Sequence, residues 1–82
     1  MKMQTLTTAY STLRRNLAAE GWRPGPPDYA LIVDIKQDVN QATSYPCRSC
    51  KGKRLRPRMF HRRESQLRTF VICERCCYVE ER

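Results

Sequence analysis

Four cysteines set the strongest limit on what this chain can become. Two residues separate Cys47 from Cys50, two more separate Cys73 from Cys76, and twenty-two lie between the pairs. A two-residue gap lets a tight turn aim both sulfurs at one point, and a hairpin of about twenty residues can return the second pair to the first. Four thiolates arranged in this way fill the tetrahedron of a Zn²⁺ ion, at Zn–S distances of about 2.3 Å, and leave no position for water. The spacing therefore points to a closed, structural zinc site with Cys47, Cys50, Cys73 and Cys76 as ligands. Cys77 would lengthen the second gap to three. It is read as a small buried hydrophobe just after the turn, where glycine is often used to relieve the backbone.

Other uses of the thiols fit less well. An iron site needs similar turns and stays open as an alternative, although a strongly basic hairpin is odd company for an electron carrier. A redox C-x-x-C would want a βαβ setting, which neither pair has. Five cysteines make an odd count, and the N-terminal M-K-M-Q-T-L-T-T-A-Y has no apolar stretch of the kind export signals carry. A reducing, cytoplasmic setting is expected, with metal chemistry in place of disulfides. No apolar run approaches the 18 residues of a membrane span, so no membrane partner is expected. A chain of 82 residues makes one small domain or a module with an appendage, and a core that size is commonly completed by a metal or a partner.

The charge is uneven. Residues 1 to 45 carry five Lys/Arg and four Asp/Glu, a net of +1, whereas residues 46 to 82 carry eleven and four, a net of +7. A zinc tetrathiolate adds −2, so the cysteine-bearing half still holds about +5. A polyanion such as DNA or RNA is the natural partner, and a solvated basic surface is the plain alternative.

Along the chain, residues 5 to 20 have a helical stripe of Leu6, Tyr10, Leu13 and Leu17, stopped by Gly21. Trp22 can fold back onto that stripe, while Arg14 and Arg15 lie off it. R-P-G-P-P, residues 23 to 27, is read as a stiff connector. The next stretch fits two readings: L-I-V-D-I suits a buried strand, yet Leu31, Ile32, Ile35, Val39 and Ala42 share a helical face. With Pro27 and Asp28 suited to a first turn, helix is the reading adopted, and the two helices would pack as a hairpin. From Tyr45 strands take over, with a hairpin tip at Arg62 to Gln66 and T-F-V-I-C as a strand entering the second cysteine pair. The fold class is thus α+β, with a helical segment at 1–44 and a small antiparallel metal-bound unit at 45–82.

Residues 45 to 82 resemble a zinc ribbon, the three-stranded fold built on two C-x2-C turns. More narrowly, R-R-E-S-Q-L-R-T-F-V-I-C-E-R-C-C-Y is similar to the C-terminal ribbon of eukaryotic and archaeal transcript-cleavage elongation factors, with Thr69, Phe70, Val71 and Cys73 matching. That family's activity depends on an adjacent Asp-Glu pair at the hairpin tip. Here Glu64 stands alone between Arg63 and Ser65, so transcript cleavage does not carry over. The first 44 residues resemble no family.

Lys51, Lys53, Arg54, Arg56 and Arg58 precede the tip, and Arg62, Arg63 and Arg68 surround it. Residues 54, 56 and 58 would share one face of a strand and could track phosphates. Phe60, Phe70 and Tyr78 are read first as core and second as base-stacking rings. His61 is read as an ordinary hairpin residue. No Ser/His/Asp set, second metal cluster or Gly-rich phosphate loop is present, so an enzyme is not expected. The leading expectation is a zinc-ribbon nucleic-acid-binding regulator or accessory of transcription or replication, alone or as a homodimer. The rival is an adaptor docking on a polymerase or another large complex through the ribbon and the N-terminal stripe.

Overall fold

The computed structural model describes residues 5–26, 32–63 and 66–82, with residues 32–34 described by backbone alone. The first-turn roles read for Pro27 and Asp28, the helical-face position of Leu31, and the lone carboxylate Glu64 lie outside the described residues. Helix α1 spans Leu6–Ala18 and starts at Thr5, whose side-chain oxygen accepts from the Thr8 N–H at 3.1 Å. That bond satisfies one of the donors a helix start leaves open. Its end follows from Gly21, which adopts φ 88°. The Trp22 N–H then reaches the Leu17 carbonyl and the Gly21 N–H reaches Ala18, both at 3.0 Å. This pairing is the Schellman stop, and its usual apolar contact is made here by Trp22 and Leu17, which share one buried cluster.

Arg23–Pro24 forms a short strand β1, so the expected connector contributes to the sheet. The helix α2 covers Ile32–Ala42. Strands β2 (Leu55–Arg62), β3 (Gln66–Cys73) and β4 (Val79–Glu81) complete a four-stranded antiparallel sheet in the order β1-β2-β3-β4. Sequence reading missed β1 because proline lacks an N–H and reads as a breaker. An edge strand tolerates it, since one side of the strand has no ladder to complete. The expected helical hairpin is also corrected. Among the described residues α1 lies against β1 and β3, and α2 lies against β3. An apolar strand face buries more of the α1 stripe than a second short helix would.

Strand alternation sets the core. Phe60, Phe70 and Ile72 lie on one face, through the register pairs Phe60↔Arg68, Arg58↔Phe70 and Arg56↔Ile72. Leu17, Trp22, Phe60 and Phe70 form one cluster, and Ala9, Ile72 and Cys77 a second, with Tyr10 and Leu13 packed against both. Phe60 is fully buried, meets Phe70 edge-on at 5.8 Å between ring centres and Tyr10 at 6.3 Å. Burial of a ring that size stabilises by about 1.5–3 kcal/mol. Met59 and Val71, at the alternate positions, are buried as well. Phe60 and Phe70 are therefore core residues. Tyr78 is not, with 41% of its surface exposed.

The outer edge of β2 has a specific chemistry. The Met59 carbonyl accepts from the Gly25 N–H at 2.8 Å, so the backbone polar groups of Met59 face β1. Two residues earlier Pro57 faces the same way, beyond the reach of Arg23–Pro24. His61 holds the same end of β1 through its side chain. A carbonyl can only accept, so its Nδ1 donates to the Gly25 oxygen at 2.9 Å.

Candidate metal centre

The two cysteine turns are built alike. In the first, the Cys47 N–H donates to the Gly52 carbonyl and the Lys51 N–H to the Cys47 carbonyl, each at 2.8 Å. In the second, Cys73 donates to Tyr78 at 3.0 Å and Cys77 to Cys73 at 2.8 Å. Both turns close through a left-handed residue, Lys51 at φ 61° and Cys77 at φ 62°. This is the position where glycine is cheapest, and neither turn uses it. Cys77 offsets the conformational cost by packing with Ala9 and Ile72 under α1.

Cys47, Cys50, Cys73 and Cys76 place their sulfurs within 4.8 Å of one another. Cys47 and Cys76 lie 3.6 Å apart, and Cys50 and Cys73 lie 3.5 Å apart. A tetrahedron with bonds of about 2.3 Å has edges of about 3.8 Å, so this donor set fits a tetrathiolate metal ion. Cys47 and Cys73 are buried, Cys50 is half-buried and Cys76 is exposed.

The protein treats the thiols unequally. The Cys50 N–H lowers the Cys47 thiol to about 7, helped by the Ser49 N–H and by Cys76 and Cys73, against the opposing effect of burial. Cys76 receives the Tyr78 N–H, which lowers it, but partial desolvation of its sulfur, although the residue as a whole is exposed, and hydrogen bonds with Cys50, Cys47 and Cys73 prevail and push it up to about 12. The first thiolate forms readily and the last waits for a cation. Uptake of a metal ion by this set would release protons and is expected to weaken as pH falls.

Gly52 shapes the space beside the sulfurs. A β-carbon there would sit 3.2 Å from the Cys50 sulfur and 3.7 Å from that of Cys73. Gly52→Ala is expected to weaken metal binding about tenfold, the lower end for a residue that orients ligands. Competition with a chromophoric chelator measures it, and unchanged affinity would remove this role from Gly52.

Arg82 holds the first turn in place. Its guanidinium donates to the carbonyls of Ala42 at 2.7 Å, Tyr45 at 2.6 Å and Pro46 at 2.8 Å, and pairs with Glu80 at 3.2 Å. Its own N–H donates to the Thr69 carbonyl at 2.8 Å. The side chain thus caps the end of α2 and steadies the peptide before Cys47, while the backbone of the same residue ties it to β3. Glu80 also meets Arg48 at 3.3 Å. Nothing in the local sequence around Arg82 signals this, because its partners lie up to forty positions away.

The eight basic residues expected at a nucleic-acid interface divide in two. Arg56 pairs with Glu74, and Arg58 lies 5.1 Å over the Tyr10 ring. Arg68 grips Glu81 through two bonds of 2.8 and 2.6 Å, which hold Glu81 below the usual carboxylate range. Arg62 lies 4.6 Å and Arg68 5.1 Å from the centre of the Trp22 ring. Among the described residues, the side chains of Lys51, Lys53, Arg54 and Arg63 have neither an ion pair nor a hydrogen bond, and all four are exposed. Lys51, Lys53 and Arg54 flank the cysteine centre, and Arg63 stands at the far end of the hairpin. Exposed Arg75 joins the first group: its Cδ lies 3.6 Å from a β-carbon position at Gly52, a distance between those of the Cys50 and Cys73 sulfurs, 3.2 and 3.7 Å. Arg75 was legible in principle, since it falls inside the second C-x2-C.

No helix among the described residues is long and apolar enough to cross a membrane. No family model matches the chain, and neither a curated protein nor a solved structure matches it.

Proposed function

We propose that the chain is a small, non-enzymatic zinc-ribbon protein that binds DNA or RNA, as a regulator or accessory factor in transcription or replication. Zn²⁺ would be held by Cys47, Cys50, Cys73 and Cys76, and would lock two distant turns together. One observation supports the reading: exposed Lys51, Lys53, Arg54 and Arg75, whose side chains have no ion pair or hydrogen bond among the described residues, surround the cysteine cluster and outnumber the two negative charges a zinc tetrathiolate would add. Cations that are not spent on neighbouring carboxylates remain available to phosphate. The role in transcription or replication draws on the ribbon resemblance alone.

Fluorescence polarisation with a labelled oligonucleotide tests the binding. Affinity is expected to fall steeply with salt, and Lys53→Ser with Arg54→Ser should make the log–log slope shallower by about two. No salt-sensitive shift at micromolar protein in low salt would overturn the reading. The adaptor alternative is not favoured. Of the two surfaces it relied on, the ribbon and the α1 stripe, the stripe is already used, since Tyr10, Leu13 and Leu17 pack on the chain's own sheet.

A further inference from the structure

A second concentration of positive charge lies at the other end of the β2–β3 hairpin. The eight residues of β2 separate it from the cysteine centre, a distance of roughly 26 Å. A cleft there is outlined by Glu20, Gly21, Arg23, His61, Arg62 and Arg63. Among the described residues it sets three guanidinia against one carboxylate, and that carboxylate lies 3.9 Å from Arg68.

The cleft is partly organised in advance. Arg62 is fixed at both ends of its guanidinium, with Nη1 donating to the Glu20 carbonyl at 3.0 Å and Nε to the Gln66 side chain at 2.7 Å. The Trp22 ring supports it from below. Arg63 is held in the left-handed conformation at φ 57°, an uncommon posture for a bulky residue. His61 spends its Nδ1–H on Gly25, which leaves Nε2 of the neutral ring as an acceptor for a protonated phosphate oxygen. Arg23 and Arg63 have no side-chain partner among the described residues. Like charges gathered this closely repel one another unless an anion joins them, and guanidinia match phosphate oxygens in geometry as well as charge.

We propose that this cleft, built by Arg23, Arg62, Arg63 and His61, is a phosphate-binding site distinct from the cationic rim of the cysteine centre. The site does not depend on the nucleic-acid reading: the phosphate can belong to a nucleic-acid backbone or be free.

NMR of the intact, zinc-loaded chain tests it, with Trp22 emission as a second reporter because Arg62 stacks on that ring. Sodium phosphate should move the amides of Gly21, His61 and Arg63 in a saturable way, and sodium chloride at equal ionic strength should not. Arg23→Ser with Arg63→Ser is expected to weaken the phosphate response about tenfold. Lys53→Ser with Arg54→Ser should leave it intact. If a short oligonucleotide moves the same amides at lower concentration than inorganic phosphate, the cleft is a second anchor for a nucleic-acid backbone. A response to inorganic phosphate alone assigns it to free phosphate. Loss of oligonucleotide binding with phosphate shifts preserved would count against the function proposed for the metal end only. Absence of a saturable shift with either ligand, or an Arg23→Ser, Arg63→Ser variant that responds like wild type, overturns the site.

Discussion

Cys73→Ser is expected to leave the chain without metal and without its sheet. Cys73 is fully buried where β3 enters the second turn, and its sulfur lies 3.5 Å from that of Cys50. A hydroxyl there is a poor ligand for zinc, and the three remaining thiols would face an incomplete shell. Structural zinc contributes roughly 10–16 kcal/mol in small metal-folded units. A whole domain is held by only about 5–15 kcal/mol. Loss of most of the first quantity exceeds what the core clusters can supply. Native mass spectrometry should show one zinc for the wild type and none for the variant, with the strand signal in circular dichroism lost as well. Cys77→Ala is the control. It keeps the four-sulfur set, removes one small buried group, and should retain both zinc and fold. A metal-free Cys73→Ser chain that stays ordered would show that the centre does not hold the fold together.

Arg82→Ala should cost about 3 kcal/mol, the scale for breaking a nearly buried, hydrogen-bonded charge pair. The side chains of Arg82 and Glu80 are only 12% and 13% exposed, so the pair is little screened by solvent. The alanine would leave Glu80 with only the exposed Arg48 and free three carbonyls at the end of α2 and before Cys47. Arg82→Lys should recover little of the loss, because one ammonium cannot span acceptors that two guanidinium nitrogens reach. Chemical denaturation of the zinc-loaded protein gives the number. A cost under about 1 kcal/mol, the value of a surface pair, would show that the clamp is ornamental.

The sequence made some of these features visible and hid others, for physical reasons. T-F-V-I-C announced β3 because β-branched and aromatic residues suit a covered, pleated surface. The α1 stripe and the Gly21 stop were local signals, and the structure keeps both. The equal gaps in the cysteine pairs foretold which four sulfurs converge, and Cys77 took the turn position that the spacing left to it. Residues 28 to 42 supported two periodicities, and the structure resolves Ile32–Ala42 as helix. By contrast β1 consists of one arginine and one proline, and its pairing depends on a strand nearly forty residues later. The same distance hid Arg82. Arg62 and Arg68 read as free cations because their partner, Trp22, is remote in sequence. Charge is legible from composition, but whether a cation is already engaged depends on the tertiary fold.

The edge proline has a consequence for how copies of this molecule meet. Most small sheets must prevent their outermost strand from recruiting a neighbour into an endless ribbon. Along the uncovered part of β2, a visiting strand would find a missing donor at Pro57, flanked by the guanidinium-bearing Arg56 and Arg58. Lateral growth by backbone pairing is thereby disfavoured on that side.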